Sequence, residues 1–263
     1  EDENRVFSVT PMGEMLQKDK MQPIVLMFLS GWHNKAWEYL FHGVLTGDIP
    51  FDSAFGISCF EWFKENSEAA EIFHRANKIK ATTGHTEITN VYDFSNVNSI
   101  VDVGGGYGGL LFYVLQRDSH LKGWIADLSH MKEEVEKEIT SHNLGSRCMF
   151  IECDFFQHVP NGSDCYVLSN ILHDWDDDNC VILLNNCRDA MSSTSRLLII
   201  ESIIPGRNEF SIANLLDIEV LVMGGGKERT ESEYRELLDR SGFYLNRVIE
   251  TKESISLLEC TKD

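Results

Sequence analysis

The chain has 263 residues, 43% of them hydrophobic and 10% aromatic, enough to bury a core without a disulfide or a structural metal. Its 42 acidic against 23 basic residues leave a formal charge of −19, which opposes a phosphate backbone and argues against nucleic acid as a partner. Seven cysteines form no Cys-x-x-Cys pair, so neither a disulfide framework nor a zinc site is read, and the reduced thiols of a cytoplasmic protein are expected.

The chain begins at Glu1 without a methionine, so a preceding N-terminal piece is expected. The apolar run from Ile24 to Leu29 is far shorter than the ~20 residues of a membrane span, and no signal-peptide pattern precedes it, so no membrane partner is expected. Residues 23–45 carry apolar side chains at helical spacing, as do 60–80 with Trp62, Phe63, Ile72 and Phe73, and both predict helices. From Ser99 onward short apolar runs alternate with helical stretches. Strands are predicted at 99–103, 123–126, 149–152, 165–169, 197–201, 244–249 and 254–259, and helices at 132–141, 177–191 and 231–240 among others. That rhythm means βαβ units and a mainly parallel sheet. Only a few residues around 251–253 join the last two strands, so those should pair antiparallel. The expected organisation is a helical segment over 1–97 and a doubly wound α/β domain over 98–263.

The residues from Ile100 to Leu110 read as a buried strand entering a glycine turn and then a helix, with side chains absent where a ligand must approach backbone. Gly104, Gly106 and Gly109 satisfy G-x-G-x-x-G, so a nicotinamide or flavin dinucleotide is one reading. Asp127 closes the next strand, 23 residues beyond Gly104, where a carboxylate can accept both ribose hydroxyls of an adenosine. Asp154 and Phe155 follow the third strand and can hold an adenine amino group and ring face. His173 lies just past the fourth strand, at the edge where open α/β sheets bind ligands. Glu201 ends the fifth strand, and Glu228 sits in the loop 224–230, so two carboxylates reach the same rim. An acid beside an imidazole raises its basicity and fixes its tautomer, as a general base for a hydroxyl proton requires. Thr230 to Glu233 reads as a capping box, and Asp176, Asp177 and Asp178 as acids favourable to the start of the next helix.

Taken together, Val101 to Gly106, Ala126-Asp127-Leu128, Asp154-Phe155-Phe156, His173-Asp174-Trp175, Glu201 to Pro205 and Gly225 to Thr230 form an ordered set. In that set the sequence resembles the plant caffeic acid and hydroxyindole type O-methyltransferases and their bacterial relatives. The resemblance implies a Rossmann-like α/β fold with a seven-stranded methyltransferase sheet. It also implies an N-terminal helical and winged-helix segment that dimerises and walls the substrate pocket, with residues 6–19 looking like the end of the winged helix. On the same resemblance Gly104, Gly106, Asp127, Leu128, Asp154, Phe155 and Ser169 would touch S-adenosylmethionine, and His173 would be the base flanked by Glu201 and Glu228. Trp32, Trp37, Phe41, Asn214, Leu215, Ile218 and Met223 are candidates for shaping the pocket of a small hydroxylated aromatic substrate. No metal is needed when the base is a histidine. The sequence departs from the family at Ser169 or Asn170, where a basic residue is usual, at Cys153, usually glycine, and at Ser129, usually proline. Two rivals stand beside this reading: a dinucleotide-dependent oxidoreductase, and a relative that keeps the cofactor site but performs another reaction.

Overall fold

A computed structural model describes the chain apart from residues 1–4, 6, 19 and 253–254, and apart from the side chains of 80–85. The chain divides into two compact units, Glu1–Ala81 and Thr82–Asp263, each described by itself.

The first unit is helical. Helix α1 (Pro11–Met15) starts where Thr10 accepts the Gly13 N–H, with proline in the first turn; residues 6 and 19 of the stretch read as the end of a winged helix lie outside the described residues. The stretch over 23–45 read as helical holds three helices: α2 (Gln22–Leu29), α3 (Gly31–Glu38) and α4 (Leu40–Thr46). Ser30 is extended (ψ 148°) and Tyr39 leaves helical geometry (φ −89°, ψ 0°), so the apolar spacing continues while the axis changes direction. After α5 (Pro50–Phe55), the stretch over 60–80 read as helical is divided between α6 (Cys59–Glu65) and α7 (Ser67–Val91), parted at Asn66, whose amide donates to the Trp62 carbonyl. Met27, Ala36, Phe51 and Phe63 form the buried centre, with Trp32 edge-on to Phe63.

In the second unit strands and helices alternate: β1 (Ser99–Val103), α8 (Gly109–Arg117), β2 (Lys122–Asp127), α9 (Lys132–Ser141), β3 (Cys148–Glu152), β4 (Cys165–Ser169), α10 (Asp177–Ala190) and β5 (Arg196–Glu201). A two-residue strand β6 (Ile203–Ile204), α11 (Ile212–Gly224), a two-residue β7 (Arg229–Thr230), α12 (Glu231–Arg240), β8 (Phe243–Glu250) and β9 (Ser256–Lys262) complete it. The sheet runs β3-β2-β1-β4-β5-β9-β8. Its first five strands are parallel and β9 is antiparallel to both neighbours, as the short connection requires. Residue 254 of the last expected strand lies outside the described residues, and the strand itself begins at Ser256.

Helices cover both faces, so central strands bury alternate residues in opposite cores. On β4, Tyr166 and Leu168 join one cluster, Cys165 and Val167 the other. Strand order reverses between β1 and β4, and the crevice beyond their carboxyl ends is where this class of sheet binds ligands.

Candidate active site

The glycine turn leaving β1 needs its glycines for two different reasons. Gly104, Gly106 and Gly108 have φ of +69°, +53° and +78°, a region costly for residues with a Cβ. A Cβ on Gly104 would also stand 2.6 Å from Ile171 Cδ1, whereas one on Gly106 would project into open space. Asp127 pins this turn to the end of β2. Its Oδ2 accepts the Gly106 N–H at 2.8 Å and its Oδ1 the Leu128 N–H at 2.7 Å. Two bonds use about half of a carboxylate's acceptor capacity, leaving lone pairs for a ribose. A backbone cradle open at Gly106 beside a fixed, half-occupied carboxylate fits an adenosyl cofactor. Phe155 stands at the same turn, its ring 3.4 Å from the position of a Gly104 Cβ. Asp154 accepts from the Phe156 N–H and the Gln157 amide, Ser169 ends β4, and Leu128 is 47% exposed beside Asp127.

The strand ends bring the three residues expected at the rim together. Glu201, the last residue of β5, is fully buried, and its Oε1 accepts the N–H groups of Ile171 (2.9 Å) and Leu172 (2.8 Å). Those bonds shape the turn after β4, where Asn170 adopts φ +54°, a conformation asparagine tolerates. His173 follows, with Nδ1 3.0 Å from Glu228 Oε1 and 3.5 Å from Glu201 Oε2, and Nε2 3.6 Å from Asp174 Oδ1. Burial opposes charge on the imidazole, but Glu201, Asp174 and Glu228 outweigh it, and the imidazolium is held well above the ordinary histidine range. Burial, helped by the charge of Glu228 and opposed by His173, pushes the Glu201 carboxyl up.

A second set of contacts, absent from the sequence reading, clamps the backbone of this turn. The Lys227 N–H donates to the His173 carbonyl at 2.9 Å, and a Cβ on Gly226 would meet that carbonyl oxygen at 2.0 Å. Arg229 is completely buried and donates to the carbonyls of Leu172 (2.8 Å) and Trp175 (2.9 Å) and to Asp177 (2.8 Å). Asp177 therefore does more than favour the first turn of α10. β7 pairs with β6 just after Glu201, so Arg229 joins the segments that carry all three rim residues. On α11, Asp217 accepts the Glu228 N–H. Of the expected pocket residues on that helix, Asn214 caps its N-terminus through Oδ1, Ile218 is half-buried, and Met223 is buried.

Residues 37–244 match the O-methyltransferase domain family. The chain belongs to the O-methyltransferase family. It is 34% identical over 262 residues to the phenazine O-methyltransferase PhzM of Lysobacter antibioticus, spanning 98% of this chain and 76% of that one. It is 36% identical to the mitomycin biosynthesis 6-O-methyltransferase of Streptomyces lavendulae, over 92% and 70% of the two chains. Among solved structures, the O-methyltransferase NcsB1 from neocarzinostatin biosynthesis, in complex with S-adenosylmethionine and 2-hydroxy-5-methyl naphthoic acid, superposes with a TM-score of 0.86 at 27% identity, covering 100% of this chain and 80% of that one. The protein is thus an S-adenosylmethionine-dependent O-methyltransferase, and the dinucleotide oxidoreductase allowed by the glycines is set aside. Among the described residues of this O-methyltransferase no helix is long and apolar enough to cross a membrane.

Proposed function

We propose that this O-methyltransferase methylates the hydroxyl of a small aromatic substrate, with His173 as general base and Glu228 and Glu201 orienting it. The carrying observation is the His173 Nδ1 to Glu228 Oε1 contact of 3.0 Å at the carboxyl edge of the sheet. Bound S-adenosylmethionine supplies a methyl group on a cationic sulfur. The glycine turn and Asp127 hold the adenosyl part, so the chain's main contribution is to fix where the acceptor oxygen meets that methyl. In the neutral ring Nδ1–H donates to the Glu228 carboxylate and leaves the Nε2 lone pair for the substrate, so turnover should rise with pH as the imidazolium gives up its extra proton. A phenol of pKa ~10 is mostly protonated at neutral pH, so Nε2 must take its proton as the oxygen attacks. The imidazolium then formed is stabilised by Glu201, Asp174 and Glu228. An aromatic acceptor is supported by the relative named for phenazine and by the NcsB1 complex with a hydroxynaphthoic acid.

His173→Ala tests the assignment. S-adenosylhomocysteine affinity should be nearly unchanged while kcat falls about 10²-fold to 10⁴-fold, with disproportionate recovery on more acidic phenols. Near-wild-type turnover would remove His173 as the base. The same reading includes a homodimer, supported by exposed apolar side chains such as Met12 and Phe41, and a reducing, cytoplasmic setting, supported by seven buried cysteines that form no disulfide.

A further inference from the structure

His173, Glu201 and Glu228 place three donor atoms within 4.8 Å of one another. In a tetrahedral site with ligand bonds of ~2.0–2.1 Å, neighbouring donors stand roughly 3.3 Å apart. The separations from Nδ1, 3.0 Å to Glu228 and 3.5 Å to Glu201, bracket that edge, and the two carboxylates, within 4.8 Å of each other, would draw in toward a shared ion.

A second observation points to a ligand there. Glu201 Oε2 and Glu228 Oε2 are buried without a hydrogen-bond partner, on side chains only 0% and 1% exposed. The buried Tyr234 hydroxyl, also without a partner, lies close enough for both glutamate charges to act on it. Buried polar atoms left unpaired are rare and costly, and a dication would satisfy both carboxylates at once. The outer contacts suit a metal too. Glu201 is oriented by two N–H groups on its other oxygen, and Asp174 faces Nε2 as a carboxylate faces the free nitrogen of a metal-bound histidine.

We propose that His173 Nδ1, Glu201 and Glu228 form a latent binding site for a zinc-type dication, and that its occupancy switches the base off. One imidazole and two carboxylates suit zinc or copper, whereas magnesium demands an octahedral oxygen shell this pocket does not offer. Coordination takes the Nδ1 lone pair, so the ring's remaining proton resides on Nε2 and any second proton of the imidazolium leaves to solvent. Nε2 then has no lone pair for a substrate hydroxyl. Binding follows from the donor geometry alone, while inhibition rests on the reading of His173 as the base.

The test uses the full chain, with zinc in equilibrium dialysis and cobalt(II) as a spectroscopic probe. Expected are one zinc per chain and the ligand-field bands of tetrahedral cobalt without a thiolate charge-transfer band. Glu201→Gln and Glu228→Gln should each weaken metal binding by roughly tenfold or more. Zinc should lower turnover by at least about tenfold, a chelator should restore it, and S-adenosylhomocysteine affinity should stay within about twofold. No stoichiometric zinc, binding that survives both glutamine variants, or a thiolate band would each overturn the site. Glutamate-dependent cobalt bands with undiminished turnover would uphold the site and refute His173 as the base. Absent bands alongside an inactive His173→Ala variant would refute the site and leave the base in place.

Discussion

Gly226→Ala puts a single methyl group against the backbone that carries His173, the proposed base. The added carbon would lie 2.0 Å from the His173 carbonyl oxygen and 3.0 Å from Asp174 Cα. An ordinary close carbon–oxygen contact is about 3.3 Å, so the two segments must part by roughly 1.3 Å. Gly226 has no left-handed φ, so the effect is steric and the new residue's own backbone is not strained. Parting breaks the 2.9 Å bond from the Lys227 N–H to His173 and draws Glu228 away from Nδ1. A misplacement near 1 Å costs about 10²-fold in rate, and overpacking costs about 1–3 kcal/mol of stability. For a chain of this size that is a fall of several degrees in Tm. The assay pairs kcat on a phenolic substrate with calorimetric binding of S-adenosylhomocysteine. Because the glycine turn and Asp127 make none of these contacts, kcat should fall about a hundredfold while Kd holds within about twofold. Equal losses in rate and affinity, or turnover near wild type with a normal melting curve, would refute a backbone clamp on His173.

Asp127→Ala removes the acceptor of the Gly106 and Leu128 N–H groups as well as the acceptor proposed for a ribose, so Kd for S-adenosylhomocysteine should rise about tenfold or more by calorimetry. Arg229→Met leaves the Leu172 and Trp175 carbonyls without their donor and should cost on the order of 2–4 kcal/mol, read as a lower urea midpoint; an unchanged midpoint would show that the buried guanidinium contributes nothing. Burial, reinforced by the charge of Asp127, pushes the Asp102 carboxyl up to about 7. The native state therefore keeps a proton that the unfolded chain releases near its ordinary 3.8, and stability should fall as pH rises from about 4 to 7. Ligand-free Asp102→Asn should accordingly melt higher than wild type at pH 8, and a lower Tm there would contradict the sign.

What the sequence disclosed and what it hid divide along one physical line. Strands β1 and β4 and helices α9 and α12 fall where they were read, because apolar runs and caps are local signals. His173, Glu201 and Glu228 were also placed at one rim, since parallel strands deliver residues after their carboxyl ends to a common edge. Over 23–45 the apolar periodicity runs on through breaks at Ser30 and Tyr39; Ser30-Gly31 carries a local stop signal, whereas nothing in the residues beside Tyr39 marks the second break. Arg229 and Gly226 show a deeper limit. Both belong to a legible motif, yet their partners are backbone carbonyls of residues 172, 173 and 175, and a carbonyl carries no mark of side-chain identity. Asp177 likewise satisfies a local rule at the start of α10, and that rule conceals the Arg229 it binds from 52 residues away. The meeting of the rim residues was readable because it depends on side-chain types at strand ends. The scaffold that positions them was not, because its contacts end on main-chain carbonyls or on a partner far away in sequence.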